Sequence, residues 1–379
     1  MEDRSLRSVL YVLPATAIGG AEIRFHTIIR QMKEMRSILL THSIVADYFG
    51  DLGITVRHFD EYGCHSPMPF SFRKAARYAK AISDAVKGEN IDCILGIMHV
   101  GTFYAAFAKD LFGLRPPLIG TILGNISAYF EKEERKPALL ERSLLWYLLR
   151  RPSLLAVPSE GVKDDIVKNF KLPEKKIRVI YNGIDIDNVR RMASERIDML
   201  NGYEGKVIIT ACRLNAQKDF FTLLNAFKEV LRKIASKLVI VGDGELREEI
   251  VRYAKDINVE KDLVITGFQE NPYKFMKRAD VFVLSSFFEG FGNVIVEAMA
   301  LGVPVVATDC PSGPAEIVQD GINGFLVPIK NHYIMADRLL KLLTDEDLRG
   351  NITGKGSLRA ECFRVEPMIE QFRKLISQS

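Results

Sequence analysis

Short runs of β-branched and aliphatic residues alternate along this chain with longer stretches whose apolar positions recur every three or four residues. The first pattern predicts strands buried on both faces, the second the amphipathic helices that cover them. Strands are expected at 8–13, 37–43, 55–59, 93–97, 118–122, 154–157 and 177–180, then at 207–211, 237–241, 263–266, 281–284, 303–308 and 324–327. Such alternation marks parallel α/β layers. The first strand of each half runs into a turn of small residues and then a helical pattern, so the chain reads as two doubly wound, Rossmann-like domains. Expected boundaries are 1–187 and 188–362, followed by a terminal helix, 363–379, that crosses back to the first domain. In that helix Met368, Phe372, Leu375 and Ile376 share helical spacing.

With 379 residues, 47% hydrophobic and 26% charged, the chain can bury two soluble cores. Cys64, Cys93, Cys212, Cys310 and Cys362 are odd in number, far apart and form no C-x-x-C pair. That points away from a disulfide framework or a zinc site and suits a reducing cytoplasm. Arg4, Arg7 and the apolar run 9–13 imitate a signal peptide, but acidic Glu2 and Asp3 occupy its basic region, so a buried first strand is expected instead. The most apolar window, 93–108, falls short of the ~18 residues that a membrane span needs. Residues 1–187 hold 26 Lys and Arg against 22 Asp and Glu, whereas 188–379 balance at 26 each, so the net +4 lies in the first half. No nucleic-acid partner is expected from so small a surplus.

Two glutamates carry the strongest chemical signal. Glu289 follows a strand-like run and opens a loop with Gly290 and Gly292, and Glu297 lies one turn into the next helix. A carboxylate at the carboxyl end of a parallel strand, beside a helix amino terminus, can meet the hydroxyls and phosphates of a nucleotide-sugar. The plainer account is a surface glutamate and another that satisfies the helix dipole. Arg213 and Lys218 stand on a second strand-to-helix loop, where a guanidinium fork beside a mobile ammonium suits a diphosphate. Gly267-Phe268 follows a third strand, and its backbone can receive the edge of a base. Gly242-Asp-Gly244 lacks the dinucleotide fingerprint spacing and reads as a tight turn. Asp185-Ile-Asp187 and Asp345-Glu-Asp347 match the metal-binding D-x-D pattern, but one lies in a turn and the other flanks a helix. Structural roles are expected for both, and no metal.

Together, Arg213-x4-Lys218, Gly267-Phe268, Glu289-x7-Glu297, Gly302-Val-Pro304, Asn182-Gly-Ile-Asp185 and the stretch from Glu316 to Gly324 resemble the retaining family-four glycosyltransferases of the GT-B fold. The resemblance implies an acceptor-binding first domain and a nucleotide-sugar-binding second domain facing a central cleft. It implies that Glu289 contacts the donor sugar, Glu297 the ribose, and Arg213 with Lys218 the leaving diphosphate. Gly290, Phe291, Gly292, Asn293 and Val294 would cradle the donor through their amides, with Phe268 also at the donor. Gly19 and Gly20 match the family's glycine loop after the first strand. His99 sits where the family has a polar cleft residue, a buried and satisfied histidine being the competing account. Thr121-Ile-Leu123 departs from the family's T-x-H pattern, which opens the donor sugar and the role of Asn125 to question.

The implied reaction moves a hexose or N-acetylhexosamine from a nucleotide diphosphate, with the leaving phosphate taking the acceptor proton and no carboxylate nucleophile. The segment 310–316 is similar to the branch that builds bacterial surface glycans from uridine diphosphate sugars, so a lipid-linked glycan acceptor is expected. A nucleotide-sugar epimerase on a similar fold and a catalytically silent binding module are the alternatives. Finally, Trp146 lies in an apolar stretch from Leu139 and Leu140 past Arg142 to Arg150 and Arg151, and Arg73, Lys74, Arg77 and Lys80 form a basic helical face. That pattern suits peripheral docking on the inner face of a membrane, whereas the plainer reading is a core helix with a solvated edge.

Overall fold

The computed structural model describes residues 7–66, 71–132, 139–197 and 202–378, and there the thirteen apolar runs form thirteen strands in two parallel sheets. The first sheet holds β1 (Ser8–Leu13), β2 (Arg36–Thr41), β3 (Thr55–His58), β4 (Cys93–Gly96), β5 (Leu118–Thr121), β6 (Leu154–Val157) and β7 (Ile177–Val179) in the order 3-2-1-4-5-6-7. The second holds β8 (Lys206–Ala211), β9 (Ser236–Val241), β10 (Leu263–Ile265), β11 (Val281–Leu284), β12 (Val305–Thr308) and β13 (Phe325–Val327) in the order 10-9-8-11-12-13. Each sheet therefore reverses its winding once, between β1 and β4 in the first and between β8 and β11 in the second. Register follows: Val9 pairs with Ser37 on one side and Cys93 on the other, and Ile208 pairs with Leu238 and Val281.

Helices on both faces explain why the strands are apolar throughout rather than alternating. In the first sheet, helices Phe72–Lys87 and Met98–Phe112 meet through Ala75, Ala79, Ala105 and Ala106, small enough to let Tyr78 and Tyr104 stack at 4.2 Å. Gly101 lies against β1 so closely that a Cβ there would stand 2.3 Å from the Val12 carbonyl oxygen. In the second, Phe220, Leu223 and Phe227 of helix Phe220–Leu231 join Met335, Leu339 and Leu342 of helix His332–Thr344 in one core with Ile208 and Leu238.

The chain divides into two compact units, one within 1–124, 136–181 and 366–379, the other within 125–135 and 182–365. Residues 125–132, which the sequence boundary assigns to the first domain, thus group with the second unit. Helix Val365–Ser377 groups mostly with the first. Arg24 fixes it there: its guanidinium lies 5.3 Å from the Phe372 ring and donates to the Ile180 carbonyl at 3.1 Å. Burial pushes the Arg24 pKa down to about 9. Among the described residues no helix is long and apolar enough to cross a membrane.

Candidate functional site

In open parallel sheets ligands collect where the winding reverses, outside the carboxyl ends of the strands. At the β8/β11 reversal the chain places Lys218, from the loop after β8, against Glu289, from the loop after β11. Lys218 Nζ lies 2.5 Å from Glu289 Oε1, and Ser286 Oγ donates to the same oxygen at 2.6 Å. Glu289 Oε2 makes no hydrogen bond among the described residues and is not sealed from solvent, although the residue is only 8% exposed. The two loops are stitched together: Phe287 N donates to Gln217 O (2.8 Å), Gln217 Nε2 to Phe288 O (2.7 Å) and Ser285 Oγ to Lys218 O (2.6 Å). Burial works to lower the Lys218 pKa, but the touching carboxylate outweighs it and the net displacement is upward. Burial, then the nearby Glu289 charge, pushes the Cys310 thiol up to about 12, so no thiolate nucleophile stands beside the pair.

The loop that follows is shaped by glycines. Gly292 takes φ 99° and starts helix Asn293–Ala300, whose first side chain, Asn293, accepts from Asn182 Nδ2 at 2.8 Å. Gly313 takes φ 93°, and a Cβ there would stand 2.1 Å from the Phe291 carbonyl oxygen. Only glycine lets the 310–313 turn lie against the 290–292 loop. Phe291 is buried, Gly290 and Val294 line the same loop and helix start, and the helix amides open toward the end of the sheet where Glu289 sits. Glu297, half-buried on that helix, has its pKa raised to about 7 by burial, tempered by a 3.4 Å hydrogen bond from the Tyr273 hydroxyl.

Arg213 is more peripheral. Its side chain is 71% exposed and, among the described residues, reaches only Glu245, at 3.7 Å. Its loop is nevertheless rigidly placed, because Cβ atoms at Gly242 and Gly244 would stand 2.0 and 2.4 Å from the Cys212 and Leu214 carbonyl oxygens. Phe268 is 70% exposed beyond β10, and Gly267 O accepts from Gly242 N at 3.0 Å. In the first unit, Gly19 and Gly20 follow β1 and exposed His99 follows β4, so they flank the other winding reversal. Glu22 turns back to accept from Gly19 N at 2.9 Å.

Asn125 is buried and locally committed. Its Oδ1 accepts from Ala128 N at 2.8 Å, capping helix Ile126–Lys132, and its Nδ2 donates to Ser312 Oγ at 2.9 Å within the second unit. Thr121, the start of the departed T-x-H pattern, is buried and donates to Gly96 O (3.1 Å). Both acidic D-x-D stretches have structural duties. Asp185 and Asp345 cap helices Ile186–Met192 and Glu346–Glu361 through Asn188 N (3.0 Å) and Leu348 N (2.9 Å), and Asp187 pairs with Arg364 at 2.9 Å. Among the described residues no group of three or more His, Cys, Asp and Glu is placed to hold a metal ion. Sequence reasoning missed Ser286, Gln217, Asn182 and Tyr273 as partners. Two of them carried a signal: Ser286 by its place three residues before Glu289, and Asn182 by opening the Asn182-Gly-Ile-Asp185 motif.

Two parallel α/β units, one with a lysine–glutamate pair at its winding reversal, are the architecture of a GT-B glycosyltransferase. Solved structures agree on the fold. The Anabaena protein HepE in complex with UDP and glucose superposes with a TM-score of 0.84 at 22% identity, covering 98% of this chain and 100% of that one. The lipopolysaccharide outer core galactosyltransferase WaaB gives 0.74 at 19% identity, over 98% and 99%. The family model described as Glycosyltransferase Family 4 matches residues 18–188, and that described as Glycosyl transferases group 1 matches 196–358. The N-acetylgalactosamine-N,N'-diacetylbacillosaminyl-diphospho-undecaprenol 4-alpha-N-acetylgalactosaminyltransferase of Campylobacter jejuni is 33% identical over 260 residues, 69% of each chain. The lipopolysaccharide 1,6-galactosyltransferase of Escherichia coli is 26% identical over 292 residues, 73% of this chain and 75% of its own. The chain belongs to the family-four glycosyltransferases.

Proposed function

We propose that this enzyme transfers a hexose or N-acetylhexosamine from a uridine diphosphate donor to a hydroxyl of a lipid-linked glycan, with retention of anomeric configuration. The observation that carries the reading is the Lys218–Glu289–Ser286 cluster at the β8/β11 reversal, with Glu289 Oε2 left unbonded to receive a sugar hydroxyl. The names of the relatives, one acting on a diphospho-undecaprenol glycan and one on lipopolysaccharide, support the acceptor class. The UDP complex of HepE supports the donor class.

As the C1–O bond of the donor breaks, its electron pair goes to the leaving phosphate oxygen and positive charge builds on the sugar. Lys218 and Arg213, with the amides that start helix Asn293–Ala300, stabilise the departing diphosphate. The acceptor oxygen forms its new bond to C1 on the same face, and its proton passes to the leaving phosphate oxygen. Glu289 orients the sugar and stabilises its positive charge, and Glu297 receives the ribose hydroxyls. Phe268 adds a donor contact within the second unit, and Gly19, Gly20 and His99 of the first unit are assigned to substrate binding. Asn125 is assigned the positioning of the 310–313 turn through Ser312 rather than a direct sugar contact.

Uridine diphosphate sugars should be tested with a diphosphate-linked N-acetylhexosamine acceptor. The expected product carries the donor's anomeric configuration, with one UDP released per transfer, and forms at full rate in excess chelator. An inverted linkage, sugar interconversion without UDP release, or dependence on manganese would each overturn part of the assignment.

We propose that any membrane docking of the first unit runs through its aromatics more than through its arginines. Phe72, 69% exposed, meets Phe107 edge-on at 5.7 Å; Phe107 stacks on Phe103, which meets Tyr147 at 5.9 Å, beside Trp146, which is 57% exposed. Arg150 donates to Phe170 O at 3.0 Å, and Arg151 forms a half-exposed ion pair with Asp110. The side chains of Leu139, Leu140 and Arg142 lie outside the described residues. Sedimentation with anionic vesicles should therefore fall when Phe72→Ser and Trp146→Ser are combined; unchanged sedimentation would remove this face as a docking surface.

A further inference from the structure

Within the second unit, one ring beside the Lys218–Glu289 pair carries two lysines. Phe287 lies two residues before Glu289, and its amide is held by Gln217 O. Lys132 Nζ stands 5.0 Å from the Phe287 ring centroid and Lys330 Nζ 5.5 Å from it. Neither ammonium makes an ion pair or hydrogen bond among the described residues, although most cations around the fold do. They come from places remote in sequence: Lys132 ends helix Ile126–Lys132, and Lys330 lies just beyond β13. Lys330 also takes φ 58°, a left-handed backbone that glycine or asparagine adopts more readily.

Two like charges on one ring repel, and an aromatic face compensates that only in part. Both lysines act on the charge of the Asp219 carboxylate. It is already committed to its helix cap, accepting from Thr222 N at 3.2 Å and Thr222 Oγ1 at 2.7 Å. Lys132 has a simpler account as a cation at a helix C-terminus, but that account does not bring Lys330 to the same ring.

We propose that Lys132 and Lys330, set against Phe287, form a binding site for the phosphate or diphosphate of the acceptor, distinct from the donor diphosphate held by Lys218 and Arg213. This rests on the transferase reading above and names the acceptor chemistry it requires. The site selects acceptors that carry the anion near the sugar being extended, and the Phe287 ring offers an apolar wall beside it.

The test uses the full chain with UDP present at saturation, so that the donor phosphate site is filled. Inorganic pyrophosphate titrated calorimetrically should still bind, and the pair Lys132→Ala and Lys330→Ala should weaken it by roughly tenfold or more. In transfer assays wild type should prefer a farnesyl-diphosphate-linked N-acetylhexosamine over the p-nitrophenyl glycoside of the same sugar. The double variant should lose that preference through a raised KM for the diphosphate acceptor. Competition between UDP and pyrophosphate, with weakened UDP binding in the variant, would assign the lysines to the donor and overturn the proposal. A lower melting temperature with unchanged pyrophosphate binding would reduce them to neutralising Asp219, and would also overturn it. Wild type that binds pyrophosphate through these lysines yet transfers to no acceptor would instead defeat the transferase reading and leave the anion site standing.

Discussion

Lys218→Ala is expected to lower turnover by roughly a hundredfold or more, the effect of removing one preorganised donor worth ~3 kcal/mol to a developing anion. The same change should lower the melting temperature, because it strands Glu289 with only the Ser286 hydroxyl on its bonded oxygen. Both side chains are largely buried, and breaking a buried pair from one side costs about 3–5 kcal/mol. Glu289→Ala strands the ammonium instead and should destabilise by a similar amount. Combining the two removes both charges together, so most of the stability returns while turnover stays low. That divergence separates a catalytic pair from a structural one. The sign of the pH effect is also fixed. The Lys218 pKa is raised by its partner, so the stabilisation is present below the unfolded lysine value and is lost only as alkaline pH passes the folded one. Stability from this pair is therefore flat from pH 6 to pH 9. Turnover, thermal melts and a double-mutant cycle measure all of this, and near-normal turnover in Lys218→Ala would take the residue out of the reaction.

Donor affinity should rise about tenfold between pH 6 and pH 8. Burial holds the Glu297 pKa at about 7, so across that range the carboxylate goes from roughly one-tenth to nine-tenths ionised. A hydrogen bond to an ionised acceptor is roughly twice as strong in energy as one to a neutral acceptor, so two ribose hydroxyls favour the carboxylate by about 2–3 kcal/mol and affinity follows the ionised fraction. Nucleotide-sugars have no phosphate group titrating near neutrality, so the rise belongs to the protein. Folding should respond in the opposite sense: a carboxylate whose pKa is raised on folding favours the native state below its unfolded value, and that contribution is lost as pH climbs toward 7. Glu297→Gln should flatten both profiles. Calorimetric titration of a uridine diphosphate sugar from pH 5.5 to 8.5 provides the check, and a flat wild-type profile would sever Glu297 from the ribose.

The strands were legible because parallel sheets are covered on both faces and so write themselves as unbroken apolar runs. β1, β6 and β11 match expectation residue for residue, while β2 and β12 shift by one or two at their ends, where hydrogen bonding rather than hydrophobicity decides. The Lys218–Glu289 meeting was legible only as two strand-end loops, since the sheet order that makes β8 and β11 neighbours is a long-range fact. The Asn125–Ser312 bond spans 187 residues, and no local pattern announces it. For the same reason the two lysines on Phe287 could not be seen as a pair. The partners of Arg150-Arg151 were hidden in the same way: Arg150 closes a helix end at the Phe170 carbonyl, and Arg151 forms a half-exposed ion pair with Asp110.

Residues 125–132 and 365–377 have a consequence for anyone who would recombine this enzyme with its relatives. A splice at 181/182 would leave the second unit without its own short helix and its Ser312 tether, and would remove from the first unit the helix that shields Arg24. A transplant that preserves both cores must exchange noncontiguous pieces, 125–135 together with 182–365, so inheritance of specificity in this chain is interleaved rather than modular.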